Sequence, residues 1–531
     1  MGVRRVVGAV SGVAVLCTGL VVGLGPGGAS ARPQSIAWVA CGGASRAECG
    51  SVRVPLDPAE PYGQQITIAV NRIKGSAPRD GNHLGVLLVN PGGPGASGTA
   101  LAAYVATKLP KDLAARYDVI GFDPRGVGAS KPALSCVDIK RYYAAPRADS
   151  VPQSHAEESV LLGRAEEFAT GCANRWSWFL PYLNTENTAR DLDVIRQALG
   201  EEKISYLGYS YGTYLGAVYA TLFPQRVRRM VLDSVVDPEE VWYQANVAQN
   251  YAFDRRHRDF LSWVAANDSV YRIGNTLRAA EFAWYAMRQR LRSRPAGGVV
   301  GPSELDDIFM VGGYTNLVWP QLGRLFSEYV RSGDTTGLVE AYHKHAENDA
   351  ADENGYAVYL GVQCRDAAWP KAWAQWHADA ARVHAKAPFM AWPNTVYNAP
   401  CVFWPERGVK PVKVGTKDLP PVLLVQAERD AATPYEGALS MRAAFPTARL
   451  VTEPGGNHGV ALSGNACVDR QVLTYLRDGV LAPQRKAGRA ADLTCPTLPA
   501  PRPLTPMMAG ASSGRGSLAG ILLGDISQIP G

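Results

Sequence analysis

The run Tyr206-Leu207-Gly208-Tyr209-Ser210-Tyr211-Gly212 constrains this chain more than any other feature. It carries the pattern G-x-S-x-G, follows a short apolar stretch and opens a helix-like segment over residues 213–222. A serine on a sharp strand-to-helix turn projects its hydroxyl above the sheet, where a base can reach it. Small residues two positions before and after keep the turn free of clashes. The five letters alone recur by chance. Their setting between a strand and a helix, with an acid and a histidine following, is what implies serine hydrolase chemistry.

The surrounding pattern agrees with that setting. Residues 66–70 alternate apolar and polar, as a half-buried strand does. Residues 85–89 and 117–122 read as short apolar runs, and 204–207, 227–232 and 422–425 as further short buried strands, all separated by helical or loop segments. Such runs predict a mostly parallel sheet flanked by helices, an α/β class. From 237 to 405 helical periodicity takes over, and nine of the twelve tryptophans fall there: Trp242, Trp263, Trp284, Trp319, Trp369, Trp373, Trp376, Trp392 and Trp404. This stretch is expected to be a helical cap inserted into the core. Most of its tryptophans should fill the cap's own interior and a minority should face the site. The core is then residues 32–236 and 406–498, and the Pro-, Gly- and Ser-rich residues 499–531 are expected to be a flexible tail. The apolar piece 518–523 is too short to span a membrane.

The chain opens with Arg4 and Arg5, an apolar run over 6–24, and then Gly25-Pro26-Gly27-Gly28-Ala29-Ser30-Ala31. This reads as a secretory signal peptide, residues 1–31, cut after an A-x-A site. The run approaches spanning length, so a membrane anchor is the alternative, but its glycines and the small-residue site favour cleavage. Removing Cys17 with the signal leaves eight cysteines, an even number suited to an oxidising compartment. Eight cysteines allow 105 connectivities. Nearest-neighbour pairing is expected: Cys41–Cys49, Cys136–Cys172, Cys364–Cys401 and Cys467–Cys495. No C-x-x-C pair occurs, which argues against zinc or thioredoxin chemistry, and no metal or cofactor is implied. The net charge is +6 over 531 residues without a dense Lys/Arg stripe, so nucleic acid is not an expected partner. An extracellular monomer without stable membrane association is expected after signal cleavage.

Acyl transfer needs a nucleophile, a base and a group that orients the base. Ser210 is the candidate nucleophile. Residues 422–425 run as a strand into Gln426-Ala427-Glu428-Arg429-Asp430, which places Asp430 just past the strand end, where catalytic groups of α/β sheets gather. Glu428 is the alternative acid, and Asp430 lies further into the loop. His458 sits in the glycine-flanked run Glu453-Pro454-Gly455-Gly456-Asn457-His458-Gly459. The order Ser, Asp, His is that of the α/β-hydrolases. His257, His343, His345, His377 and His384 lie in helix-like cap sequence and read as solvated surface histidines; His83 reads as structural. The oxyanion needs two donors: the N–H of Tyr211 and one from the loop Asn90-Pro91-Gly92-Gly93-Pro94-Gly95, with Gly93 the first choice and Gly92 the second. Asp123-Pro124-Arg125-Gly126-Val127-Gly128-Ala129-Ser130 lacks the spacing of a phosphate loop and reads as a structural turn with a buried Asp/Arg pair. Thr433 is expected either to hydrogen-bond within the acid loop or to form part of a plain Thr-Pro turn.

With these motifs located, the chain resembles the secreted tripeptidyl aminopeptidases of streptomycetes, in the prolyl-aminopeptidase-like branch of the α/β-hydrolases (serine peptidase family S33). The stretches NTARDLDVIRQALG, SYLGYSYGTYLGAVYATLFPQRVRRMVLDSVVDP and VLLVQAERDAATPYEGA carry the resemblance, which extends from about Cys41 to Cys495. It implies an exported exopeptidase that acts on peptides with a free N-terminus, with Ser210, Asp430 and His458 as triad and Gly93 and Tyr211 as oxyanion donors. Some relatives are esterases, so an extracellular carboxylesterase or lipase with the same triad is the alternative, and a non-catalytic binding protein a third reading. An aminopeptidase must also hold its substrate's ammonium group, which a cap carboxylate would do. Asp366 beside a cysteine is the preferred candidate, with Glu353, Glu239 and Glu240 also open.

Overall fold

The computed structural model describes residues 34–42, 46–346, 348–485 and 490–504, together with Leu518 and Leu522. The expected signal peptide lies outside the described residues.

Among the described residues ten strands form one sheet: β1 (Val39–Ala40), β2 (Ala47–Pro55), β3 (Gln65–Ile73), β4 (Val86–Asn90), β5 (Asp118–Asp123), β6 (Ile204–Tyr209), β7 (Val227–Asp233), β8 (Leu423–Ala427), β9 (Arg449–Glu453) and β10 (Leu493–Thr494). Their order is β1-β2-β3-β5-β4-β6-β7-β8-β9-β10. From β5 through β10 every neighbouring pair is parallel, whereas β1, β2 and β3 add an antiparallel edge. The composition explains the division. Every residue of β4, β5, β6 and β8 is buried, because helices cover both faces there. In β2 only alternate residues such as Val52 and Val54 are buried.

Two long elements escape the sequence pattern. In β2 the alternation is interrupted around Gly50, and nine residue pairs to β3 supply the register instead. In β9 the apolar run is only Leu450-Val451, and pairing to β8 makes it a strand. The strand order reverses around β4: β5 lies on one side and β6 on the other. The loops leaving β4 and β6 therefore open a crevice at the carboxyl ends of the strands, where α/β sheets bind their ligands.

Between β7 and β8 the chain is helical. The helices Tyr243–Ala266, Leu277–Ser293, Pro302–Tyr314 and Trp319–Ser332 enclose an apolar centre of their own, containing Phe253, Phe260, Trp284, Phe309, Trp319 and Phe326. Trp242, Trp369, Trp376 and Trp404 pack instead with the cluster beneath the sheet. Of the nine tryptophans in this stretch, Trp242 lines the main cavity. The eight cysteines form four disulfides, Cys41–Cys49, Cys136–Cys172, Cys364–Cys401 and Cys467–Cys495, which are the nearest-neighbour pairs.

The expectation of a free tail from 499 onward does not extend to the described residues there. The Trp263 indole N–H donates to the Pro501 carbonyl at 3.1 Å. Leu518 and Leu522 are buried, and a Cβ on Gly459 would meet the Leu522 Cδ1 at 2.5 Å. Apolar side chains hold these positions, a contact that composition does not reveal.

Candidate active site

The turn after β6 has the strained backbone that its sequence calls for. Ser210 has φ 55° and ψ −128°, a region that costs a non-glycine residue about 1–3 kcal/mol. The conformation is held from both sides. The Ser210 N–H donates to the Asp233 carbonyl at 3.0 Å, and the Ser210 carbonyl accepts from the Thr213 N–H at 2.8 Å and its hydroxyl at 2.7 Å. Gly208 and Gly212 are needed for close packing: a Cβ on Gly208 would lie 2.4 Å from the Gly212 carbonyl oxygen, and one on Gly212 2.7 Å from that of Asn90. The helix Tyr211–Leu222 starts at once, so the Tyr211 N–H lies in its unsatisfied first turn.

The loop after β4 runs directly against this turn. A Cβ on Gly92 would stand 2.9 Å from both the Ser210 Cβ and the Tyr211 nitrogen. The Gly92 N–H donates to the Asn90 side chain at 3.0 Å, and Gly92 does not line the cavity. Gly92 is therefore corrected from a substrate-binding position to one that permits close approach of two loops. Gly93 and Tyr211 do line the cavity, together with Ser210.

Asp430 and His458 are brought together from the loops after β8 and β9. The His458 Nδ1 lies 2.9 Å from one Asp430 carboxylate oxygen and 3.0 Å from the other. Both residues are buried. Asp430 also accepts from the N–H groups of Ala432 and Thr433 at 2.9 and 3.1 Å, and from the Thr433 hydroxyl at 3.0 Å, which fixes its orientation. Glu428 points elsewhere and accepts from the Thr452 hydroxyl. The His458 N–H donates to the Tyr314 carbonyl at 2.7 Å, and the Tyr314 ring meets the imidazole edge-to-face at 5.3 Å between centroids.

Asp233, at the end of β7, ties the serine turn to the histidine loop. Its carbonyl holds Ser210, as above, and one carboxylate oxygen accepts from the N–H groups of Val460 and Ala461 at 2.7 and 2.6 Å. Burial pushes its carboxyl up to about 7, opposed by those two N–H groups and by His458. Sequence reasoning missed Asp233; its signal was an aspartate-serine pair closing an apolar strand.

Asp366 and Glu353 are corrected. Asp366 is buried and does not line the cavity. One oxygen accepts from the Thr185 N–H at 2.7 Å; the other accepts from the Thr185 hydroxyl at 2.6 Å and the Trp242 indole at 3.1 Å. The Thr185 hydroxyl also lies 2.8 Å from the Tyr211 hydroxyl, so Asp366 supports the residue behind Ser210. Glu353 is spent on the N–H groups of Cys136 and Val137. Glu240 lines the cavity and is exposed, while Glu239 is exposed and donates its N–H to Asp237. Asp123 and Arg125 are both buried, but they do not pair with each other: Arg125 binds Asp191 in a two-pronged contact of 2.7 and 2.8 Å.

The cavity above Ser210 has a volume of about 1470 Å³. Core loops form one wall, and residues of the inserted helices, including Asp307, Tyr314, Tyr359 and Asn394, form the other. Sites for small ligands usually enclose about 300–1,000 Å³, so this space suits something longer. Among the described residues no cluster of His, Cys, Asp and Glu is arranged to hold a metal ion.

Residues 85–464 match the model of the alpha/beta hydrolase fold family. The chain is 48% identical over 465 residues to the tripeptidyl aminopeptidase of Streptomyces coelicolor, covering 86% of this chain and 84% of that one.

The chain belongs to the α/β-hydrolases, in the family of the streptomycete tripeptidyl aminopeptidases.

It is a serine peptidase of the α/β-hydrolase type. Two further relatives are each 32% identical. Serine protease Hip1 of Mycobacterium tuberculosis matches over 508 residues, 90% of this chain and 95% of that one. Carboxylesterase B of the same species matches over 456 residues, 82% and 85%.

Proposed function

We propose that this family member is an exported aminopeptidase that releases short peptides, chiefly tripeptides, from free N-termini through Ser210, His458 and Asp430. His458 takes the proton of the Ser210 hydroxyl as that oxygen attacks the scissile carbonyl carbon. Asp430, bonded to Nδ1, keeps the imidazole in the tautomer whose Nε2 can accept this proton, and it stabilises the imidazolium. The N–H groups of Tyr211 and Gly93 receive the oxyanion, each worth about 3–4 kcal/mol in the transition state. His458 then protonates the leaving amine, and water activated by the same imidazole hydrolyses the ester on Ser210. The observation that carries the reading is the strained Ser210 turn opening into a peptide-sized cavity, in a chain 48% identical to a tripeptidyl aminopeptidase. Export is supported by the four disulfides and the N-terminal run of residues 1–31.

A second reading, a carboxylesterase using the same three residues, is favoured by the 32% identity to carboxylesterase B. Hydrolysis of a tripeptidyl p-nitroanilide, its N-acetylated twin and a short p-nitrophenyl ester separates the two, with Ser210→Ala as control. Cleavage of the free-amine peptide but not of its acetylated twin supports the aminopeptidase, with or without turnover of the ester. Equal cleavage of the blocked peptide, or turnover of the ester alone, rejects it.

A further inference from the structure

Ser303, Asp307, Met310, Val311 and Tyr314 all line the cavity. They are spaced four, three, one and three apart, so they form one face of the helix Pro302–Tyr314. The last of them anchors the helix at the His458 loop, through the Tyr314 carbonyl and ring described above. Asp307 lies seven residues earlier, about 10 Å away along the helix axis at 1.5 Å per residue. Three extended residues reach at most about 10 Å.

The charge at that level is unbalanced. Arg147 lies between two carboxylates. Its Nε is 2.9 Å from Glu304 Oε1, its backbone N–H donates to the same oxygen at 2.8 Å, and its outer amino group pairs with Asp307. The other Glu304 oxygen accepts from the Gly301 N–H at 3.0 Å, and the Glu304 side chain is fully buried. One guanidinium against two carboxylates leaves this group of three with one negative charge over, and Asp307, 34% exposed, presents it to the cavity, which Arg164 and Lys344 also line. Burial pushes the Asp307 carboxyl up, and Arg147 opposes this. Tyr143 and Tyr397 line the same space. The Tyr143 hydroxyl is buried without a hydrogen-bond partner among the described residues, and Asp307 acts through space on Tyr397.

We propose that Asp307 binds the α-ammonium of the substrate, and that the helix from Tyr314 back to Asp307 sets the released length at three residues. The inference rests on the aminopeptidase reading. With the acyl carbon at Ser210, the amine of a tripeptidyl unit comes level with Asp307. That of a dipeptidyl unit stops about 3.5 Å short. The ammonium supplies the missing positive charge and donates to the carboxylate and to the Tyr143 hydroxyl. An N-acetyl group removes both charge and donors.

The test uses the full-length protein with free-amine di-, tri- and tetrapeptidyl p-nitroanilides, the N-acetylated tripeptide and p-nitrophenyl acetate. Asp307→Asn should raise KM for the free-amine tripeptide about 10- to 100-fold, the worth of one charge-assisted hydrogen bond. It should narrow the preference over the acetylated twin and leave ester turnover unchanged. Asp307→Glu should recover part of the affinity. Unchanged tripeptide KM with intact ester turnover overturns the proposal, as does finding the KM shift in Glu240→Gln instead. Should Asp307→Asn fail to fold, seen as lost ester turnover, Asp307→Glu carries the test: unchanged KM and unchanged length preference overturn it. A wild-type enzyme indifferent to N-acetylation rejects the aminopeptidase reading itself, and this proposal with it, before any variant is made.

Discussion

Replacing Gly92 by alanine should abolish most activity while leaving the protein folded. Gly92 has φ +101°, a conformation that L side chains rarely adopt. An added Cβ would meet the Tyr209 carbonyl oxygen at 2.6 Å and the Ser210 Cβ and Tyr211 nitrogen at 2.9 Å each. All three atoms belong to the turn that carries the nucleophile, and none is the end of a flexible side chain. A methyl at 2.9 Å from that nitrogen forces the turn to shift, which moves the Tyr211 N–H from the position that would hold an oxyanion at about 2.7–3.1 Å. Losing one such donor costs roughly 2.7–4 kcal/mol, or 10²- to 10³-fold in kcat. Backbone strain adds about 1–3 kcal/mol against stability, which a chain of this size can absorb. The assay is kcat and KM on a tripeptidyl p-nitroanilide beside the thermal midpoint. Gly200→Ala is the control for strain alone: its φ is +72° and its Cβ would meet nothing within 4 Å. It should lose about 1–2 kcal/mol of stability with kcat unchanged. A Gly92→Ala enzyme with kcat within about threefold of wild type would refute the assignment of Tyr211 as an oxyanion donor.

Further outcomes are expected. Asp430→Asn should keep the fold and lower kcat by about 10⁴, because it favours the wrong imidazole tautomer; a loss under tenfold would remove Asp430 from the triad. Asp233 has its carboxyl raised to about 7 in the folded protein, so the native state holds a proton that the unfolded chain releases near its ordinary value of 3.8. Its contribution to stability is therefore lost as pH rises through that window, by up to about 1.4 kcal/mol per pH unit, and urea unfolding of Asp233→Asn should lack that slope; parallel pH profiles would contradict this. Removing the Cys136–Cys172 bridge, which closes a 36-residue separation, should cost about 4 kcal/mol in chemical denaturation at unchanged KM. Asp366→Asn turns an NH₂ group toward the Thr185 N–H or the Trp242 indole, so it should lose about 1–3 kcal/mol of stability while KM for free-amine peptides stays constant.

Much of the core was legible because it is local. Short, largely apolar runs bounded by turn or polar residues are read from neighbouring positions alone, so β4 to β8 are visible in the sequence. By contrast β9 has only two consecutive apolar residues, and β2 is broken at its glycine; long-range pairing made both into strands. The serine turn is largely local: Gly208, Ser210 and Gly212 lie within five residues and Gly208 is crowded by the Gly212 carbonyl, although Asn90 of the neighbouring loop also crowds Gly212. The cysteines paired with near neighbours, within 8 to 37 positions of each other.

The carboxylates mark the boundary of that legibility. Sequence placed Asp430 beyond a strand end and His458 in a glycine-flanked loop, and the two side chains meet. It also favoured Asp366 for the substrate amine and was silent on Asp307. What an acid does depends on which groups already satisfy it. Thr185 lies 181 positions from Asp366, and Arg147 lies 160 positions from Asp307. Short-range periodicity and turn chemistry thus determined the sheet centre, the serine turn and the order of the candidate triad. Only tertiary packing decided which acids are satisfied in the interior and which face the cavity, because burial and pairing are set by residues far away in the chain.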